Sequence, residues 1–529
     1  MKRWKPVVVQ SQASPRRVIS YGERFWHEKL PVGTRVILPN PPLNPLPDVD
    51  AAIRHALWHP VGKDPLPAKL RPGMKVTVAV DDISVPLPPM VTPDIRQRML
   101  EACFELFDRY GVEDVEVIVA TAFHRRMTEW EIRRMVGETL FRRLYPKQLY
   151  NHDAEKPGGL VVIGHTRHNE PVELNARAAE SDLIVYLNIN LVTMDGGHKS
   201  VGVGLTGYKG LQNHHTPSAI RDSASYFEPK HSAMHGSVHR IGKVCNEKLD
   251  IFHVETVLNT NMYHPALDFL GRPEETWSDY DLGRFNVLKW SLDRLPQAGR
   301  RELMMRNPAP YGLLQVTAGA TEPVHERTLA KCYEQYTVPV EGGQADIGIV
   351  GVPYLCPYNV NSSAMNPLLV RCTGLGYLFN MNRGRPVVRK GGVWIICHPN
   401  RADFDEEHHP SYIEFYHRLL PESRDADYLQ RTYEKEFAEN PIYVEKYRFG
   451  NAYHGAHPFY MWYWAENGQK HVGHVICAGA EEPETCRRLG WIPARDLASA
   501  IEIAKDLLAD RDPNIALLHV PPLLMAEVL

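Results

Sequence analysis

The hydrophobic pattern of the chain switches repeatedly between two periods. Lys75-Val-Thr-Val-Ala-Val80 is a β-branched run ending on Asp81-Asp82. It predicts a buried parallel strand whose carboxyl end delivers acidic residues to a loop. Residues 92–110 change to helical spacing, with Thr92-Pro93-Asp94 as the start signal. Val115-Glu-Val-Ile-Val-Ala-Thr121 predicts the next strand, with Phe123-His124-Arg125 at its end. Thr128 followed by Glu131 is a capping-box pattern and predicts a helix over 128–136. Leu160–Ile163 and Leu183–Leu187 predict further strands, and Ile251–Val257 is strand-like. Strand–helix alternation of this kind implies an α/β domain with a mainly parallel sheet, whose ligands sit beyond the carboxyl ends of the strands. The second half repeats the theme, with strands at Ala345–Val350, Val387-Val388, Val393–Ile396 and Ile515–Val520, and helices at 412–420 and 495–509.

The prediction is therefore two α/β domains with mainly parallel sheets and the active site in the cleft between them. Residues 1–300 form the first domain, 301–529 the second, and 1–70 a Pro-rich extended lead. Pro41, Pro42, Pro45 and Pro47 forbid regular structure in part of that lead. With 529 residues, the chain is long enough for about two to four domains.

Composition narrows the function classes. Lys+Arg at 60 against Asp+Glu at 63 leaves a net charge of -3, so no global basic field exists to hold nucleic acid or an anionic membrane. No apolar run approaches the roughly 18 residues of a membrane span. The basic N-terminus is followed by no apolar segment of a secretory signal, so a cytoplasmic location is expected. Eight scattered cysteines with no CxxC pair point to reduced thiols. The 25 histidines are unusual because they cluster.

Residues 195–215 carry six glycines, two lysines and three histidines, which predicts a loop wrapped around a bound group. The stretch contains no P-loop. Gly202, Gly204 and Gly207 have GxGxxG spacing but lack the preceding strand–turn context. His198 is a candidate base or metal ligand, and of the adjacent His214 and His215 at most one points inward. His253 reads as a core histidine, and His408-His409 beside four acidic residues as a polar loop. His124 can exchange protons, and Arg125 can clamp a carboxylate.

Together these segments resemble the nickel-pincer lactate racemase family of 2-hydroxy-acid racemases and epimerases. Asp81-Asp82-Ile-Ser-Val-Pro-Leu-Pro88 stands where family members carry Asp-His-Thr-Arg-Pro. Ala122-Phe-His124-Arg125-Arg-Met-Thr128-Glu-Trp-Glu131 matches the Gly-x-His-Arg-x-x-Thr-x-x-Glu motif, and Asn151-His152-Asp153 is present. His198 through Lys209, then Asn213-His214-His215, is similar to the Gly-rich turn with its lysine and downstream histidine. The departures are concrete. The motif arginine is replaced by Ser84 or Val85, and the second-domain Tyr-Pro-Lys-Asp is absent, Pro357 to Ser363 being nearest. The substrate is accordingly expected not to be lactate.

The resemblance implies a pyridinium-3,5-bisthiocarboxylic acid mononucleotide bearing nickel (the nickel-pincer nucleotide), tethered to Lys209, with Lys199 as runner-up. It implies nickel ligation by His214 or His215, and cofactor contacts from Asp81, Asp82, Ser84 and Gly207. His124 and His198 become the acid/base pair, with Arg125, Tyr358 and Asn361 on the substrate. One histidine would take the hydroxyl proton while hydride moves to the cofactor. An imidazole with a pKa near about 6.5 suits transfer in both directions. Cofactor-biosynthesis proteins are the implied partners, with a small hydroxy acid or sugar acid as ligand. Two alternatives stand beside this reading: an enzyme using the same cleft with a diffusible cofactor, and a non-catalytic diverged homologue that binds a hydroxy acid, sugar acid or nucleotide.

Overall fold

The computed structural model describes residues 4–529. Among them, two large sheets organise the chain. The first has six strands in the order Leu313–Gly319, Ile251–Leu258, Leu183–Asn190, Lys75–Asp81, Asp114–Ala120, Leu149–Asn151. All its pairings are parallel except that of Leu313–Gly319 with Ile251–Leu258. The second has seven strands in the order Val7–Val9, Arg35–Ile37, Ile515–Leu518, Ala345–Gly351, Val388–Cys397, His474–Ala478, Ile492–Ala494. Only Val7–Val9 runs antiparallel there. The architecture is α/β with mainly parallel sheets.

The sheets do not respect the boundary drawn at residue 300. Strands from the first 40 residues complete the second sheet, and Leu313–Gly319 edges the first. The lead is more ordered than its prolines suggest. It holds a hairpin, Arg17–Tyr21 with Arg24–Glu28, and a helix, Val49–Trp58, whose Asp48 cap accepts from the Ala51 N–H. The proline-dense stretch near residues 39–47 stays irregular, as predicted. The junction at 285–310 is also helical, as Asp279–Arg294 and Gln297–Met305.

Central strands are buried on both faces, as β-branched runs with helices on each side require. One continuous core spans both sheets, and smaller clusters cover their outer faces. Leu160–His165 pairs only with Pro171–Asn175 in a separate, partly exposed hairpin, so its β-branched run is not a sheet strand. The predicted loop at 195–215 folds into two short helices, His198–Gly204 and Tyr208–Leu211. Gly196 and Gly197, at φ +86° and +59°, make the turn into the first. Gly202 and Gly204 lie inside that helix, so the GxGxxG match has no strand–turn–helix context.

Candidate active site

Both sheets send the carboxyl ends of their strands toward one cavity of about 340 Å³. From the first sheet come Asp81, Asp82, Ser84, His124, Asn188, Lys199, Ser200 and His215. From the second come Tyr354, Tyr358, Tyr377 and Trp464, while Ser20, Gly22 and Phe25 enter from the N-terminal hairpin. A ligand at the carboxyl ends of parallel strands is the placement the alternation predicts.

The register places Asp81 opposite Ala120, so the loops after both strands leave the sheet at the same edge. Within the second loop Ala122 takes φ +47°, a left-handed conformation that favours glycine, and its N–H donates to the Gly204 carbonyl. The turn presents His124, whose Nδ1 lies 2.7 Å from Asp82 Oδ2. Asp82 Oδ1 accepts from the Ser84 N–H and hydroxyl at 2.9 and 2.5 Å. Burial pushes the Asp82 carboxyl up, but the His124 imidazole and the Ser84 donors bring it below the usual range. An ionised Asp82 therefore fixes the proton on His124 Nδ1 and leaves Nε2 as the proton-accepting atom.

Surrounding groups hold this pair in place. Arg96, clamped bidentately by Asp94, donates to the carbonyls of Asp82 and Val85 at 2.5 and 3.0 Å. The Asn151 amide exchanges two hydrogen bonds with the Met127 backbone. Buried His152 accepts from the Asn175 amide and donates from Nε2 to the Thr206 carbonyl, and burial lowers its pKa to about 4. The Asn-His-Asp motif thus ties the His124 loop to the segment that follows the helix His198–Gly204.

Asp81 turns the other way, toward the strand Leu183–Asn190. It accepts from the Ile189 N–H at 2.7 Å and from the Asn188 amide. Burial, helped by the nearby charges of Asp195 and Asp82, pushes its pKa up to about 7. Lys199 Nζ donates to Asp195 Oδ1 at 2.7 Å, and both residues line the cavity. His215 is half-buried against Tyr460 and Trp464, and desolvation holds its pKa well below the usual range. Its Nδ1 meets His214 Nδ1 at 2.7 Å, so one neutral ring donates to the other. When His215 donates, its Nε2 lone pair is left free.

Six of the site residues predicted from sequence do not reach this cavity. Lys209 is exposed and lies beside Glu173, and Gly207 packs under the Leu160 hairpin. Two residues into a helix change a side chain's direction, and the loop reading of this segment gave no basis for choosing between its lysines. His198 points outward, with Nε2 3.1 Å from Glu322. Arg125 does clamp a carboxylate bidentately, but it is Glu131 of the capping box, and further donors go to the Val360 and Arg126 carbonyls. Asn361 donates to the same Glu131, and both residues line a separate, wider groove. His214 is buried behind His215 and does not line the cavity. Tyr358 does line it, with its hydroxyl against that of Tyr377. His253 is a core residue, and His408 and His409 are engaged by Ser362 and the Tyr358 carbonyl. Sequence reasoning missed Asp195, Asn188, Ser200 and the aromatic wall, because each depends on which strand ends face one another.

Residues 21–226 match the family model of the lactate racemase N-terminal domain. The lactate racemase of Lactiplantibacillus plantarum is 24% identical over 193 residues, 36% of this chain and 42% of that protein. The lactate racemase of Thermoanaerobacterium thermosaccharolyticum is 24% identical over 179 residues, 32% and 39% of the two chains. Over this N-terminal stretch the chain is similar to lactate racemases. The matched stretch spans less than half the length of these curated relatives. The fold likeness is wider. The lactate racemase apoprotein from T. thermosaccharolyticum superposes with a TM-score of 0.61 at 16% identity, covering 97% of this chain and 99% of that one. A Thermotoga maritima protein superposes with a TM-score of 0.50 at 14% identity, covering 92% and 99%. The family match covers the loops of Asp82, His124, Lys199 and His215, whereas the aromatic wall lies mostly outside it. Among the described residues no helix is long and apolar enough to cross a membrane.

Proposed function

We propose that this chain is a racemase or epimerase of a 2-hydroxy acid other than lactate, working with a lysine-tethered nickel-pincer nucleotide. The observation that carries the reading is that Lys199, His215 and the His124–Asp82 pair line one cavity between the two sheets. The residues fit such a group. Lys199 offers an amine for attachment, oriented by Asp195, and replaces Lys209 as the tether. His215, kept neutral by desolvation, offers an imidazole nitrogen of the kind nickel binds well. When bound, the group supplies a hydride acceptor for the carbinol carbon.

The protein's own residues supply the rest. His124 takes the substrate hydroxyl proton at Nε2 and returns it, with Asp82 stabilising the charged ring in between. His198 is replaced as the second proton-handling group by Asp81, whose carboxyl titrates near about 7. The two leave the sheet toward opposite neighbours, His124 over Asp114–Ala120 and Asp81 over Leu183–Asn190. A reaction on both faces of a flat keto intermediate needs that arrangement. Tyr354, Tyr358, Tyr377 and Trp464 exclude water and shape the far wall. Lys199 is the one lysine or arginine among the described residues lining the cavity. With Lys199 engaged by a tether, a substrate carboxylate is held by a neutral donor such as the Tyr358–Tyr377 hydroxyl pair. That favours a larger, less densely charged acid than lactate.

The test is a chiral assay over a panel of 2-hydroxy acids and sugar acids in deuterated water, using protein from its native host. Interconversion with the C2 hydrogen retained is the expected result. Ligand binding without interconversion of any member would support a non-catalytic binding protein instead.

A further inference from the structure

His198, absent from the cavity, belongs to a second group of side chains on the outer side of the same helix. The ligating atoms of His198, His239 and Glu322 lie within 4.8 Å of one another. His198 Nε2 is 3.1 Å from Glu322 Oε1, and the His198 and His239 rings meet edge to face at 4.8 Å. We propose that these three residues form a binding site for a divalent cation of the zinc class, separate from the cavity.

The donor set is chemically right. Two imidazole nitrogens and one carboxylate oxygen are a recurrent zinc set, with water in the fourth position. Ligands around a tetrahedral zinc stand about 3.4 Å apart given its roughly 2.1 Å bonds. The set is therefore open by up to about 1.4 Å, and the two exposed partners, His239 and Glu322, are free to close on the third. His198 is the fixed member, with a side chain only 9% exposed. Its place is built into the neighbouring helix: a Cβ on Gly242 would lie 2.3 to 2.5 Å from His198 Cβ, Nδ1 and Cγ. Only a glycine there lets the imidazole lie flat against Ala233–Lys248. The preceding Gly197 N–H donates to buried Glu255 at 2.6 Å, which also receives His325, so the start of the helix is pinned from a second side.

The three ligands come from three elements, the helices His198–Gly204, Ala233–Lys248 and Thr321–Tyr336. A bound cation ties the first of these, which carries Lys199 on its cavity side, to two outer helices. It acts as a structural clamp, with no contact to the reacting atoms. Lys243 stands within electrostatic reach of His239 and Glu322 and competes with the cation.

The experiment is a zinc titration of the chelator-stripped full-length protein against a chromophoric competitor. The variants are His239→Ala, Glu322→Gln, Lys243→Gln and, as a cavity control, His215→Ala. One equivalent of zinc is expected to bind at least tenfold more weakly in His239→Ala and Glu322→Gln. It is expected to bind unchanged in His215→Ala and more tightly in Lys243→Gln. Melting without metal checks that the exposed substitutions leave the fold intact. Equal titration of wild type, His239→Ala and Glu322→Gln would overturn the proposal. So would a wild type that binds only zinc that His215→Ala removes.

Discussion

The two sheets meet at one cavity but contribute differently to it. The six-stranded sheet brings every carboxylate, the lysine and both histidines: Asp81, Asp82, Asp195, Lys199, His124 and His215. The seven-stranded sheet brings tyrosines, a tryptophan and aliphatic side chains such as Leu378, Met381 and Leu523. Its tyrosines stay neutral, because burial raises Tyr358 and Tyr377 well above the ordinary phenol range. One wall carries the charged and titratable groups, and the other is aromatic and aliphatic. On the proposed function, substrate choice is expected to track the second wall and proton transfer the first. The extent of the family match, residues 21–226, is consistent with that division.

The comparison breaks hardest at His124. His124→Ala is expected to lower kcat on the order of 10²- to 10⁴-fold with the melting temperature retained, whereas His198→Ala stays within a few-fold. Steady-state kinetics on the two variants check this, and equal losses would return His198 to the reaction. Asp82→Asn comes next, with an expected fall on the order of 10²-fold, because an amide no longer fixes the proton on His124 Nδ1. The kcat against pH profile should change with it. On the aromatic wall, Tyr358→Phe is expected to raise KM about three- to tenfold with kcat nearly unchanged. A large loss of kcat in that variant would mean that the second sheet also does chemistry.

The smallest effect sharpens the role of Asp81. Its folded pKa, about 7, lies above the ordinary aspartate value. The folded protein thus binds this proton more tightly than the unfolded chain. Below about pH 4 the group costs nothing; the cost grows as pH rises to about 7 and is constant above. Melting curves of Asp81→Asn and wild type should therefore diverge in favour of the variant between these limits, by a few degrees at most, and run parallel above. A constant difference across the range would show that burial does not hold the proton on Asp81.

Much of this arrangement was legible in the sequence, for definite reasons. The strand Lys75–Asp81, the strand Asp114–Ala120 and the helix capped by Thr128 and Glu131 follow from β-branched runs and a cap pattern, which act locally. The sequence motifs also located the loops of Asp82, His124 and His215. Side-chain direction was not legible. Leu160–Ile163 reads like a core strand, yet its burial is set by a hairpin partner rather than by its own residues. Successive residues on a helix point about 100° apart, so His198 and Lys199 face different surroundings once their glycine-rich segment becomes helical. The clamp chemistry of Arg125 was correct, but its partner was the protein's own Glu131.

The most direct measurement is the intact mass and peptide map of the protein from its native host, with metal analysis on the same sample. The account predicts an added mass of a few hundred daltons on the peptide holding Lys199, with close to one nickel per chain, both lost in Lys199→Ala and kept in Lys209→Ala. A modification on Lys209, or an unmodified chain without nickel, would contradict it.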